Sequence, residues 1–353
     1  MEAIRENTRR KGSMGTYRLE VVVDPVSPGG TAPGRKTGEE PLPGRKEYDV
    51  VVVGGGPAGL VAASFCGRKQ LRTAVFEGDS WGGILTRWCP DKKIDNYPGL
   101  RPGILAQELA HYLIDEARRA EVELIGGRIE EVTRDREVLS GNTVVRGKMV
   151  IIASGSTASE AGILREKEFT DRNAGVHYVV RDPAAFRGKR VAVVGGGDTA
   201  LSHVQRLSGV ASRITLIHRQ NTLRTSHGLP EEFDTKRGVE ILLDSAVETF
   251  LGTDFVEGVR IRNLASGAVS DLAADAVIMA VGRKPNTVIF RDLDLAMDEK
   301  GQVVADRWQK TNVPGILAVG DVSSHIKMII TAVAQAATAA HQAYLEIRSP
   351  YWK

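Results

Sequence analysis

Val51-Val52-Val53-Gly54-Gly55-Gly56-Pro57-Ala58-Gly59 and Ala192-Val193-Val194-Gly195-Gly196-Gly197-Asp198-Thr199-Ala200 follow one pattern. In each, an apolar run meets three glycines and then a helical pattern, from about Ala58 to Lys69 in the first copy. A second apolar strand follows, Thr73–Phe76 in one and Ile214–Ile217 in the other. The copies match in length: from Gly54 to Glu77 is 23 positions, and from Gly195 to His218 is also 23. This is the layout of a βαβ nucleotide unit. Gly54 and Gly195 permit the tight turn, and Gly56 and Gly197 let the backbone approach a pyrophosphate. In the first copy Gly59 lets the helix pack close, with its N-terminal amides aimed at the anion. One glycine motif is a weak signal, but two in strand-to-helix context predict an α/β protein with two Rossmann-like dinucleotide-binding domains.

The residue that ends each second strand separates the two nucleotides. Glu77 offers a carboxylate to ribose hydroxyls and would repel a 2′-phosphate. His218 stands in that place in the second copy, with Arg219 beside it and Arg224 five residues further on. Replacing a carboxylate by these groups points to a 2′-phosphate. The first site therefore suits FAD and the second NADP(H).

Composition narrows the function further. The 353 residues carry a net charge of +3. Residues 1–46 hold nine Lys/Arg against six Asp/Glu, which accounts for all of it. That segment reads as an appendage, with a strand at Tyr17–Asp24 and a Gly/Pro-rich linker over Pro25–Arg45. A basic arm of this size is ordinarily solvated, so nucleic-acid binding is not expected. Neither a signal peptide nor an apolar run of membrane-spanning length is found, and the expected location is cytoplasmic. The seven histidines form no ligand-spaced group and the two cysteines cannot hold an iron–sulfur cluster, so no metal is expected.

Beyond the two glycine turns, the chain resembles the thioredoxin reductase-like flavoproteins over nearly all of residues 47–347. The segments that carry the resemblance are GGGPAG at 54–59, IIASGS at 151–156, GGGDTA at 195–200 and HRQNTLR at 218–224, with AVGRKPNT at 280–287 and GILAVGDV at 315–322. The resemblance implies FAD contacts from Gly54, Gly56, Pro57, Ala58, Gly59, Glu77, Gly83, Ile84, Leu85, Asn96, Ser154, Gly155, Gly320, Asp321, Lys327 and Ile329. Asp321 is expected at the ribityl chain. The helix from about Ile329 to Glu346 is expected to aim its N-terminus at the flavin pyrimidine. For NADP(H) it implies Gly195, Gly197, Asp198, Thr199, Ala200, His218, Arg219, Arg224, Gly282 and Arg283. Domains are expected at 47–157 with 285–353 for FAD and at 158–284 for NADP.

The chain departs from thioredoxin reductase at the dithiol. That family places a CxxC just before the second glycine motif, where Val176–Pro183 here contains no cysteine. Cys66 and Cys89 are the only cysteines and lie 23 positions apart. The stretch is instead similar to the ferredoxin/flavodoxin–NADP reductase branch, as are Gly82-Gly83-Ile84-Leu85 and the Ile326–Thr331 turn. Cys89 occupies the place of that branch's flavin-stacking tyrosine. It reads either as a thiolate beside the flavin or as a small packing residue. Trp88, or Tyr351 or Trp352 of a partner subunit, is an alternative cover for the flavin. Gln220 replaces an arginine, which relaxes the preference for NADPH. The expected function is electron transfer between NADPH and ferredoxin or flavodoxin, in a homodimer. A Cys89 disulfide or persulfide reductase, an NAD(P)H oxidase and a non-catalytic flavin sensor remain as alternatives.

Overall fold

The computed structural model describes residues 46–224 and 238–349. The strand expected at Tyr17–Asp24 and the aromatic residues Tyr351 and Trp352 lie outside the described residues. Both expected βαβ units form. Strand Lys46–Val53 leads into helix Pro57–Arg68 and then strand Thr73–Glu77. Strand Arg190–Val194 leads into helix Asp198–Leu207 and then strand Arg213–Ile217. In both units the two strands pair in parallel, Val50 with Thr73 and Ile214 with Val191.

Each unit builds its own sheet, and two smaller sheets of three and two strands accompany them among the described residues. The first is seven-stranded. Its centre runs Glu123–Gly126, Thr73–Glu77, Lys46–Val53 and Thr143–Ile152, with Ile316–Ala318 adding in parallel to the last of these. The chain thus supplies this sheet from both sides of the second unit. The second sheet is five-stranded and all parallel, in the order Val239–Leu242, Arg213–Ile217, Arg190–Val194, Ala276–Met279, Val176–His177. Val50, Val51, Val52, Ala192, Val193 and Ile278 have no exposed surface. Central parallel strands are covered on both faces, which is why these runs are continuously apolar rather than alternating. Each buried Val or Ile side chain contributes roughly 1.5–3 kcal/mol by leaving water.

The 20-residue helix Ile329–Arg348 packs on Pro57–Arg68 through Ala336, Ala339, Ala340 and Ala343, all fully buried. Small side chains let the two helices approach closely. The chain passes from the first sheet to the second along Ser156–Ala158 and returns along Arg283–Pro285. These two segments pair antiparallel, so both links run side by side. Among the described residues no helix is long and apolar enough to cross a membrane.

Candidate functional site

The two glycine turns are built alike. Gly54 has φ +109° and Gly195 φ +145°, where L side chains are strained. A Cβ on Gly54 would collide with the Ala153 carbonyl, and one on Gly195 with the Ala280 carbonyl. The middle glycines make room for what ends the second strand. A Cβ on Gly55 would come within 2.8 Å of Glu77 Cβ, and one on Gly196 would enter the His218 ring. The third glycines face open space: the nearest atom to a Cβ on Gly56 is 4.0 Å away, and on Gly197 it is 3.9 Å. Gly56 and Gly197 also begin their helices without a side-chain cap. Uncapped amides beside an open glycine are what a pyrophosphate needs.

The first turn opens into a cavity of about 900 Å³. Its wall contains every expected FAD residue except Gly59, together with Cys89 and Trp88. Gly59 lies off the wall because it packs on its own turn, where a Cβ would strike the Gly54 carbonyl. The cavity is at the upper end of the range for small-molecule sites, as an extended dinucleotide requires. Glu77 accepts backbone N–H bonds from Gly55 at 2.7 Å, Asp79 at 2.9 Å and Ser80 at 3.1 Å, so its carboxylate is fixed beside the turn. Met328, Ile329 and Ala332 bring the uncapped N-terminus of the last helix to the wall. The open cradle at Gly56, the fixed acceptor and this helix end all fit FAD.

Asn286, Ser156, Arg128 and Lys300 stand in the wall without having been among the expected site residues. Asn286 and Ser154 bond reciprocally, Asn286 Nδ2 to the Ser154 carbonyl and Ser154 Oγ to the Asn286 carbonyl, both at 2.8 Å. Ser156 donates to Asp321 at 2.8 Å. The PNT and SGS segments were visible as motifs, but nothing local revealed that they meet across 132 residues. Arg128 and Lys300 also line the cavity and carried no signal. Arg283, expected with NADP, stands in this wall, where its guanidinium lies 4.3 Å from the Trp88 ring centroid. The linking strands pair directly with each other, and that pairing carries Arg283 to the first cavity.

At the second turn, Arg224 N donates to the Gly196 carbonyl at 2.7 Å, which places the loop 218–224 over the glycines. Arg219 and Arg224 are exposed, and Arg224 Nε donates to Gln220 at 3.0 Å. His218 is buried and its Nε2 has no partner among the described residues. Burial, then the Arg224 charge, lowers its pKa, so the ring is neutral at pH 7 and brings no negative charge to the site. Asp198 and Thr199 are exposed in the first turn of the helix, Ala200 is buried, and Gly282 is exposed at the return link. An open Gly197 and two exposed guanidinium groups fit a phosphorylated ribose.

Cys89 is partly buried and its Sγ lies 3.6 Å from the Ile84 carbonyl. Burial pushes its thiol up, outweighing the opposing charges of Lys92, Arg206 and Arg283. Cys66 is fully buried, its thiol pushed up to about 12. Arg206, on the Asp198–Leu207 helix, reaches Asp91 at 2.6 Å and the carbonyls of Val180 and Arg181, tying the two nucleotide units together two residues beyond Cys89. Among the described residues no group of His, Cys, Asp and Glu could hold a metal.

Two dinucleotide turns and a large cavity at the first define a protein built to hold two nucleotides. The chain belongs to the pyridine nucleotide-disulphide oxidoreductase family, whose model matches residues 48–336. It is 32% identical to a thioredoxin reductase of Listeria monocytogenes, over 84% of this chain and 93% of that protein. Two solved structures are similar. Lactococcus lactis thioredoxin reductase has a TM-score of 0.79 at 29% identity, covering 86% of this chain and 100% of the other. Thioredoxin reductase of T. acidophilum has 0.78 at 27%, covering 86% and 99%. The chain is a thioredoxin reductase-like flavoprotein with FAD and NADPH as its cofactors.

Proposed function

We propose that this protein carries electrons between NADPH and a one-electron carrier protein of the ferredoxin or flavodoxin kind, without a dithiol relay. The observation that carries this reading is the cysteine count. A chain with both nucleotide turns has only Cys66, sealed in the core, and Cys89, whose thiol burial holds protonated. Neither has a cysteine partner with which to pass electrons to a disulfide.

FAD would be held at Gly54 and Gly56, Glu77, Asp321 and the Ile329 helix end, and NADP(H) at Gly195, Gly197, Arg219 and Arg224. Bound there, the flavin supplies hydride exchange with nicotinamide and single-electron exchange with a carrier. The chain's own groups position and exclude. Glu77 takes ribose hydroxyls, the uncapped helix ends take pyrophosphate, and Trp88 with Cys89 closes one part of the wall. Arg87, Lys92, Lys93, Lys284, Lys300 and Lys327 all line the cavity, against acidic Glu77, Asp79 and Asp321. An acidic carrier would be attracted to this excess of positive charge. The FAD domain is assigned to 47–157 with 285–353 and the NADP domain to 158–284, in a cytoplasmic homodimer.

A second reading, single-cysteine disulfide reduction, is favoured by one observation, the presence of Cys89 in the cavity wall. Cys89→Ser decides between them. NADPH-driven reduction of ferredoxin by the variant is expected to stay within about twofold of wild type. Loss of turnover in Cys89→Ser, with disulfide substrates reduced by the wild type, would establish the second reading instead.

A further inference from the structure

Arg283 has more partners than a surface residue on a linking strand requires. It donates Nη2 to the Ser156 carbonyl at 2.7 Å and lies 3.7 Å from the Asp321 carboxylate, which also accepts from Ser156 Oγ. The Trp88 ring covers the guanidinium. The Arg283 and Asp321 side chains retain 16% and 20% of their exposure. Arg283 Nε is buried with no hydrogen-bond partner among the described residues, and the Trp88 ring lies over the guanidinium carbon. The sequence and its neighbours thus hold a cation in the cavity wall at the cost of desolvating it.

Its position within the cavity follows from those contacts. Glu77 and the Gly54–Gly56 turn serve the adenosine and pyrophosphate half of a dinucleotide, and Arg283 touches neither. It touches Asp321 and Trp88, with Cys89 next in the chain, so it belongs to the half that takes the flavin ring. Lys327, whose side chain is exposed, is the other cation near Asp321. Desolvation lowers the pKa of both groups, and an ammonium starts below a guanidinium, so Lys327 is the weaker holder of charge. A guanidinium keeps its proton at any working pH, which makes Arg283 the permanent charge of this group.

We propose that Arg283 tunes the electron affinity of the bound flavin, as a positioning and electrostatic residue rather than part of the NADP site. Reduction of a flavin by two electrons and one proton leaves a negative charge on its ring. A fixed cation in a wall of low dielectric stabilises that charge and raises the reduction potential. Asp321 and Trp88 orient the cation, and the ribbon of paired linking strands fixes its distance from the cavity. No new chemical step is involved. The effect is on the equilibrium between oxidised and reduced cofactor.

This inference rests on the FAD reading of the cavity, and one experiment separates the two. The midpoint potential of the bound flavin is measured by equilibrium reduction against a reference dye, on wild-type holoprotein and on Arg283→Met, Arg283→Gln and Arg283→Lys. Gln retains a donor for the Ser156 carbonyl, so it reports even where Met disturbs folding. The expected result is a lower potential in Met and Gln and a potential restored toward wild type in Lys. Release of flavin from both neutral variants, with retention by Lys, supports the same charge-dependent role. Flavin bound at the wild-type potential in Met or Gln overturns the inference while leaving the cavity's assignment intact. A wild-type protein purified and reconstituted without any flavin overturns the assignment and the inference together.

Discussion

Gly54 and Gly56 differ by two positions and serve different ends, and their substitutions should part accordingly. Gly54→Ala meets a positive φ and the Ala153 carbonyl, so it should lower stability by at least about 1–3 kcal/mol from backbone strain alone. Gly56→Ala meets nothing within 4 Å other than Gly83 Cα at 4.0 Å, so the apoprotein should melt near the wild-type temperature yet bind FAD weakly. Thermal melts with and without added FAD check both. Arg219 is the corresponding test at the second turn. Arg219→Ala removes a charge-assisted bond worth about 1.5–3 kcal/mol, so the NADPH constant should weaken roughly ten- to a hundredfold while the NADH constant stays. Equal changes in the two constants would show that the 218–224 loop does not read the 2′-phosphate. The roles of these glycines were legible in the sequence because a turn's requirements are local. The place of Arg283 was not, because it depends on a strand pairing made across 125 residues, with Ala158.

The helix Asp198–Leu207 shows what an element adds beyond its motif. Its glycine turn and its length follow from the repeat, but its far end also carries His203 and Arg206. Arg206 reaches across to Asp91, and His203 is buried with neither ring nitrogen bonded among the described residues. Burial, helped by the charges of Arg206 and Lys92, lowers the His203 pKa to about 4 from its usual 6.5. The folded state therefore holds the neutral ring, and unfolding lets it take a proton below pH 6.5. Stability is full above pH 6.5 and is lost as pH falls toward about 4, by about 2–4 kcal/mol from this group. His203→Phe should flatten the denaturation profile over that window, measured by urea midpoints at pH 7 and pH 4.5. An unchanged slope would mean the ring is hydrated in the native state. Nothing in the local pattern marks His203, which occupies an apolar position of an otherwise ordinary amphipathic helix. Its burial is a property of the packed molecule.

At the scale of the whole molecule, two copies of one nucleotide unit are joined by a ribbon of two linking strands and by the Arg206–Asp91 bridge. The first sheet closes only after the chain returns, when Ile316–Ala318 adds to Thr143–Ile152. The repeat made both units visible in the sequence, and the separated motifs at 151–156, 280–287 and 315–322 were visible as a set. How those motifs assemble one cavity was not, since their contacts span more than a hundred residues. The cysteine count bears on the same scale, because both nucleotide turns stand in a sequence whose two cysteines lie 23 positions apart. The most direct test of the account is an anaerobic titration of the flavin-loaded protein with NADPH, followed by its visible absorbance, with oxidised ferredoxin then added. The account predicts bleaching by NADPH and recovery of the oxidised spectrum on addition of ferredoxin, in wild type and in Cys89→Ser alike. Bleaching that persists with ferredoxin and reverses only with a disulfide or oxygen would contradict it.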